Sequence, residues 1–138
     1  MTYTKNFFSL PNALFLLGLC PGELAVYSYL RRCEDHETHQ CWPSYRTIGK
    51  AVGMSVNTVS KYVVMLSERG LISTEPTDVI TKSGMKRNGN LLYTLLPVKN
   101  ALDHYYAKQL EELERETERQ RVEKLLLEQE KDSKDSAL

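Results

Sequence analysis

VGMSVNTVSKYV, residues 52–63, sets a glycine, a methionine and a serine between two stretches of helical spacing. Gly53 suits a left-handed turn that closes one helix, Met54 fills the space under that turn, and Ser55 suits the cap of the next helix. Val56, Val59, Val63 and Leu66 then recur at three- and four-residue intervals and predict a buried face, with Gly70 after Arg69 as a stop signal. Once that face is inward, Ser55, Asn57, Thr58, Ser60 and Lys61, and with them Val64, turn to solvent. No catalytic group stands among them.

Upstream, Ser44 is a cap for a helix over Tyr45 to Val52, with Ile48 and Val52 facing a core and small Gly49 between them. Two crossing helices need a small residue where they touch, and Gly49 supplies it. Pro11 to Leu17 predicts a short helix stopped by Gly18. Pro21-Gly22-Glu23 opens a longer one reaching about Cys33, because proline fits a first turn and an acid suits the positive end. Leu24, Tyr27, Leu30 and Cys33 give that helix its expected stripe, Arg31 and Arg32 sit near its negative end, and Glu34 to Gln40 reads as a polar loop.

Downstream of Gly70 the period drops to about two. Leu71-Ile72 leads a β-like segment toward Thr81, which Pro76 marks as an edge strand or an interrupted one, and Leu92 to Leu95 forms a second. KSGMKRNGN, residues 82–90, lies between them as a polar hairpin tip. From Val98 to about Glu130 the chain is rich in Leu, Glu, Lys, Arg and Gln without Gly or Pro, which predicts one long helix. The fold class is therefore mainly α with a small β-hairpin wing: a winged helix-turn-helix over residues 1–97, a long helix over 98–131 and a disordered tail over 132–138.

The outward row on the second motif helix has dimensions and chemistry that fit a major groove. Asn pairs with adenine, Lys with guanine or phosphate, and Ser or Thr with either. CWPSYRTIGKAVGMSVNTVSKYVVMLSERGLI, residues 41–72, resembles the helix-turn-helix domain family of bacterial plasmids, phages and conjugative elements, whose members share a similar succession of W-P-S, T-I-G/A, G-M/L-S, N/T-V and G-L-I. The resemblance extends from about Phe7 to Pro97. It implies double-stranded DNA binding through Ser55 to Lys61 and through the wing, in small regulators or at the front of replication initiators. The acidic helix that follows leaves no room for a replication domain, so a small regulator is the expectation.

In the wing, Lys82, Lys86 and Arg87 are candidates for phosphate or minor-groove contact. Ser44, Tyr45, Arg46 and Lys50, on the first motif helix, are further candidates for backbone contact. Val98, Leu102, Tyr105, Tyr106, Leu110 and Leu113 form the apolar face through which a homodimer is expected. That seam is imperfect, since the register of Leu110 and Leu113 brings Thr117, Gln120 and Lys124 inward before Leu127. A twofold dimer would set two recognition helices ~34 Å apart on a pseudo-palindromic site.

Cys33, His36, His39 and Cys41 are four residues that zinc would accept. Their intervals of three, three and two in one loop differ from paired knuckles, and Cys33 is also the last buried position of its helix. No metal and no cofactor is expected. Cys41, next to Trp42, reads as part of a plug between helices, and Trp42, Tyr27, Tyr29, Tyr45, Tyr62 and Tyr93 mostly as core or boundary aromatics rather than a stacking platform.

Composition narrows the rest. The 138 residues, 41% hydrophobic, suit one domain with an appendage. The zero net charge divides into +3 for residues 1–97 (ten Lys/Arg, seven Asp/Glu) and −3 for residues 98–138 (eight and eleven). Ala13 to Cys20, the longest apolar run, is well short of the roughly 20 residues of a membrane span, so a soluble cytoplasmic protein with three thiols is expected. Without a phosphate loop, a nucleophile elbow or a paired carboxylate site, no enzyme is expected. The sequence thus favours a sequence-specific DNA-binding regulator of a mobile element. A replication or partition accessory protein, and an adaptor whose acidic helix binds a partner, are the alternatives.

Overall fold

The structure, a computed structural model, describes residues 6–136, the side chains of Arg87 and Ser136 excepted. It divides into two compact units, Met1–His104 and Tyr105–Leu138. In the first, a 3-10 helix at Asn12–Leu16 precedes α1 (Pro21–Cys33), β1 (Gln40–Cys41), α2 (Tyr45–Val52) and α3 (Val56–Glu68). Strands β2 (Ile72–Glu75), β3 (Asp78–Ile80), β4 (Lys86–Asn88) and β5 (Leu92–Leu95) follow, and α4 (Val98–Ser136) begins in this unit. The fold is a winged helix-turn-helix followed by a long helix, as the spacing of Ile48, Gly49, Gly53 and Val59 predicts.

The core is built from one face of each element. Val26, Tyr27 and Leu30 of α1 meet Ile48 of α2, Val59, Val63 and Leu66 of α3, and Ile72, Tyr93 and Leu95 of the sheet, all 5% exposed or less. The apolar stripe of α1 differs from the expected one: Val26 is buried, whereas Leu24 and Cys33 are half-buried. Gly53 takes φ +73° and its N–H bonds the Gly49 carbonyl, closing α2. A Cβ at Gly49 would collide with the Met54 carbonyl oxygen and come 3.5 Å from Val59 Cγ2, so only glycine lets the turn pass this close to α2. Beside the Met54 turn, Val56 departs from the inner face expected of it and is 47% exposed.

Three antiparallel strands form the sheet in the order β1-β5-β2, with Tyr93 between Cys41 and Thr74. Gln40–Cys41, the end of the expected polar loop, is thus an edge strand. Pro76 breaks the wing into two parts, because a proline cannot donate to a ladder. Beyond it, β3 and β4 form a separate two-stranded sheet with Val79 opposite Arg87. Its turn is closed by a hydrogen bond from Thr81 N–H to Met85 O (2.9 Å) and by Gly84 at φ +81°. Next to the polar tip, Val79 and Ile80 of β3 are 53% and 70% exposed, and Met85 within it is 60% exposed.

The first unit closes at His104, seven residues past the expected boundary at Pro97, because Ala101 on the first turns of α4 is 1% exposed. Val98 and Leu102 beside it are half-buried. In the second unit α4 continues to Ser136, whereas the sequence suggested a helix ending at 131 and disorder beyond; residues 132–136 contain neither Gly nor Pro to stop it. Residues 137–138 of that expected tail lie outside the described residues.

Glu23 holds an unexpected position. It is 1% exposed at the third position of α1, where its carboxylate accepts the Cys20 N–H (3.3 Å). Arg69, at the end of α3, donates to both of its oxygens, from Nε at 2.5 Å and Nη2 at 3.1 Å, and from Nη1 to the Leu17 carbonyl at 3.1 Å. A bidentate pair whose third guanidinium nitrogen is also bonded is the geometry in which a buried ion pair holds two elements in register. Arg69→Ala leaves the Glu23 carboxylate buried and unpaired and is expected to cost about 3 kcal/mol of stability, read as a lower urea midpoint at unchanged m-value.

Candidate nucleic-acid interface

Serine caps start both motif helices in the same way. Ser44 Oγ accepts the Thr47 N–H (3.1 Å) and lies 2.9 Å from Thr47 Oγ1; Ser55 Oγ accepts the Thr58 N–H (3.3 Å) and lies 2.9 Å from Thr58 Oγ1. Each Ser-x-x-Thr pair uses one hydroxyl proton internally and leaves the other free to donate outward. Ser44, Ser55 and Thr58, candidate contacts by sequence, are therefore first of all helix caps.

The open face of α3 is narrower than the row expected. At 100° per residue, Asn57, Lys61 and Val64 fall within about 60° of arc, roughly opposite Val59, Val63 and Leu66. All three are exposed, with Val64 at 51%, whereas Thr58 and Ser60 are half-buried. Lys61 Nζ lies 5.6 Å from the centroid of the Tyr62 ring, a cation–π distance that steadies an otherwise mobile side chain. The Tyr62 ring in turn lies so close over Gly22 of α1 that a Cβ there would overlap it.

On α2, Arg46 and Lys50 are exposed and Tyr45 is half-buried. Arg46 holds the same position after its cap as Asn57 does on α3, the second residue of the helix. In the wing, Lys82 lies on the turn and Lys86 on β4, both exposed; Arg87 lies on β4. The surface thus offers hydrogen-bonding groups on a helix and cations on either side of it. Acids intrude at Glu68, the last residue of α3, and at Glu75 and Asp78 around Pro76, all exposed.

Tyr105, Tyr106, Leu110 and Leu113 of the expected dimer face belong to the second unit. Tyr105 is half-buried, its hydroxyl accepting from Gln109 Nε2 (2.9 Å) and its ring 5.8 Å from that of Tyr106. Tyr106, Leu110 and Leu113 are 49%, 57% and 62% exposed. A second apolar group, Val122, Leu125 and Leu126, is also exposed and falls on roughly the opposite side of the helix at 100° per residue.

The Cys/His loop disperses its four potential ligands. Cys41 is buried with Sγ donating to the Leu30 carbonyl (3.6 Å), and burial pushes its thiol up to about 12. His39 Nδ1 lies 3.3 Å from Glu34 Oε2, and Arg31 also holds Glu34, at 2.7 Å. Cys33 is half-buried and His36 exposed. Among the described residues no group of three or more His, Cys, Asp or Glu is placed to hold a metal ion. No helix among them is long and apolar enough to cross a membrane.

Cys41 takes the buried position at the end of β1, as a plug would, whereas Trp42, just past the strand, is 60% exposed and stands outside the core. For Val56 the sequence carried no signal, since an apolar stripe does not say where the neighbouring element stops.

Residues 17–72 match the model of a helix-turn-helix domain family. No protein of curated function matches the chain. Among solved structures, a "possible transcriptional regulator" from Methanosarcina mazei Go1 superposes with a TM-score of 0.52 at 15% identity, over 82% of this chain and 96% of that one, and so shares its fold. Two others resemble it less. Bordetella bronchiseptica BpsR, whose DNA binding is regulated by 6-hydroxynicotinic acid, gives a TM-score of 0.39 at 19% identity, over 83% of this chain and 67% of that one. A "probable transcriptional regulator" from Pseudomonas aeruginosa gives 0.38 at 24% identity, over 78% of this chain and 79% of that one. Both scores are too low to bear on the fold.

Proposed function

We propose that the chain is a sequence-specific double-stranded DNA-binding protein that regulates transcription, without enzymatic activity, in a bacterial mobile element. The exposed triad Asn57, Lys61 and Val64 on α3 carries this reading. Asn and Lys read purine edges, and a valine methyl meets the methyl group of thymine, the apolar mark of the major groove. The helix-turn-helix match over residues 17–72 supports it, as does the fold shared with a possible transcriptional regulator. The mobile-element setting rests on the W-P-S, T-I-G, G-M-S and G-L-I succession of residues 41–72. Lys82, Lys86 and Arg87 of the wing and Arg46 and Lys50 of α2 neutralise flanking phosphates, while the Ser44–Thr47 and Ser55–Thr58 pairs each add their one free hydroxyl proton.

Two copies associate through Tyr106, Leu110 and Leu113. A pair of these chains presents two α3 helices to half-sites one turn apart and blocks or recruits the transcription machinery there.

Selection from random duplexes is expected to yield one reproducible motif. Asn57→Ala with Lys61→Ala, in protein that melts like the parent, binds that motif roughly 100-fold more weakly, because each lost base contact is worth about 1–3 kcal/mol, on the order of tenfold. Failure to enrich any motif at any salt concentration removes the reading. Lys82→Ala and Lys86→Ala each lower the salt slope of binding by about one unit and leave the motif unchanged; an unchanged slope in both takes the wing out of the interface. In sedimentation, the full chain runs as a dimer and Leu110→Glu with Leu113→Glu as a monomer. A dimer that survives both substitutions overturns the assignment of α4.

A further inference from the structure

Trp42 is the single tryptophan of the chain. Its ring is large and 60% exposed, yet its backbone is firmly held: Asn90 Nδ2 donates to the Trp42 carbonyl (3.2 Å), and the Asn90 carbonyl accepts the Thr77 hydroxyl. Asn90 lies between β4 and β5, at the root of the wing, and two residues beyond Trp42 the Ser44 hydroxyl caps α2. The Trp42 backbone is thereby tied to the root of the wing and lies just before the start of α2, the two elements to which the proposed function assigns phosphate contacts. An exposed aromatic ring on a held backbone gives up little conformational freedom when it is covered, which is the property of an anchor residue.

The ring forms one wall of an open cleft of about 400 Å³ lined also by Cys33, Asp35, Gln40, Cys41 and Pro43. Asp35 accepts the N–H groups of Glu37 (2.8 Å) and Thr38 (3.3 Å), which hold its carboxyl below the usual carboxylate range and so keep it ionised. That charge repels a phosphate from the cleft. A strand that meets the exposed indole from outside the cleft avoids that repulsion.

We propose that Trp42 is an additional DNA-backbone contact: its outer face lies on a deoxyribose and its Nε1–H donates to a phosphate oxygen outside the cleft. The proposal rests on the duplex-binding reading and adds a partner surface that neither α3 nor the basic wing supplies. An indole offers an apolar face and one donor, which matches the alternation of sugar and phosphate along a strand. Such a contact carries no base information. It fixes the depth and register at which α3 enters the groove.

The lone indole makes the test direct. Wild-type protein is titrated with a fluorescein-labelled duplex, either the selected motif or a random sequence at low salt, while anisotropy of the label and emission of the tryptophan are followed together. A saturable emission change with the same midpoint as the anisotropy is expected on both duplexes. Trp42→Ala weakens binding to both by roughly tenfold, and Trp42→Phe, which keeps the ring and loses the donor, by roughly threefold. Circular dichroism melts establish that the variants are folded, and the wild-type emission needs no variant.

Rising anisotropy with unchanged emission, or Trp42→Ala binding as tightly as the parent, overturns the proposal and leaves the wider DNA reading standing. An emission change that tracks protein concentration without DNA also overturns it, by assigning the ring to a second copy. Silence of both signals on every duplex overturns the DNA reading itself.

Discussion

Gly49 has no room for a side chain, because the Met54 carbonyl occupies the space where one would begin. The approach of α2 to the turn before α3, and with it the direction of every side chain on α3, depends on this contact. Packing in a close-packed interior is not continuously adjustable, so a displaced turn would reach α3 as a rotation of its outer face. At its other end α3 is tied through Arg69 to Glu23 on α1 and to the Leu17 carbonyl. A steric constraint at the start and an electrostatic one at the end leave α3 little freedom to roll.

Between these ties the polar residues divide their work. Ser44 with Thr47, and Ser55 with Thr58, satisfy the otherwise unpaired N–H groups of two helix starts. Ser60 and Thr58 sit at the margin of the buried face. Asn57, Lys61 and Val64 project together on one arc of α3, held by no more than the loose contact of Lys61 with the Tyr62 ring. A face with so few free groups reads few bases itself and depends on its surroundings for affinity, which is why the cations of α2 and the wing matter to the proposed function.

The architecture was legible in the sequence because its signals are local. Ser44 and Ser55 cap where their types predict, Gly53 turns as a glycine in that place must, and the bounds of α2 match residue for residue. Pro76 announced the break in the wing. What escaped depends on contacts between segments far apart in the chain. Glu23 reads as an ordinary acid in a first helical turn, and only the arrival of Arg69, 46 residues later, makes it a buried partner. Ala101 is too small to weigh in a periodicity count, yet its burial moves the end of the first unit beyond Pro97. Trp42 reads as a core or boundary aromatic, yet it lies just past the two residues of β1 and stays 60% exposed.

The break at Pro76 also separates two kinds of cohesion. The inner sheet is anchored by Ile72, Tyr93 and Leu95, whereas every residue of β3 is exposed. Opening the outer hairpin therefore gives up a few ladder hydrogen bonds and almost no apolar burial, so it fluctuates far more often than the domain unfolds. Such a hairpin tolerates changes of residue and length at its tip without loss of the folded state. Sequence drift there can retune the grip on a groove of different width while the scaffold beneath is inherited intact.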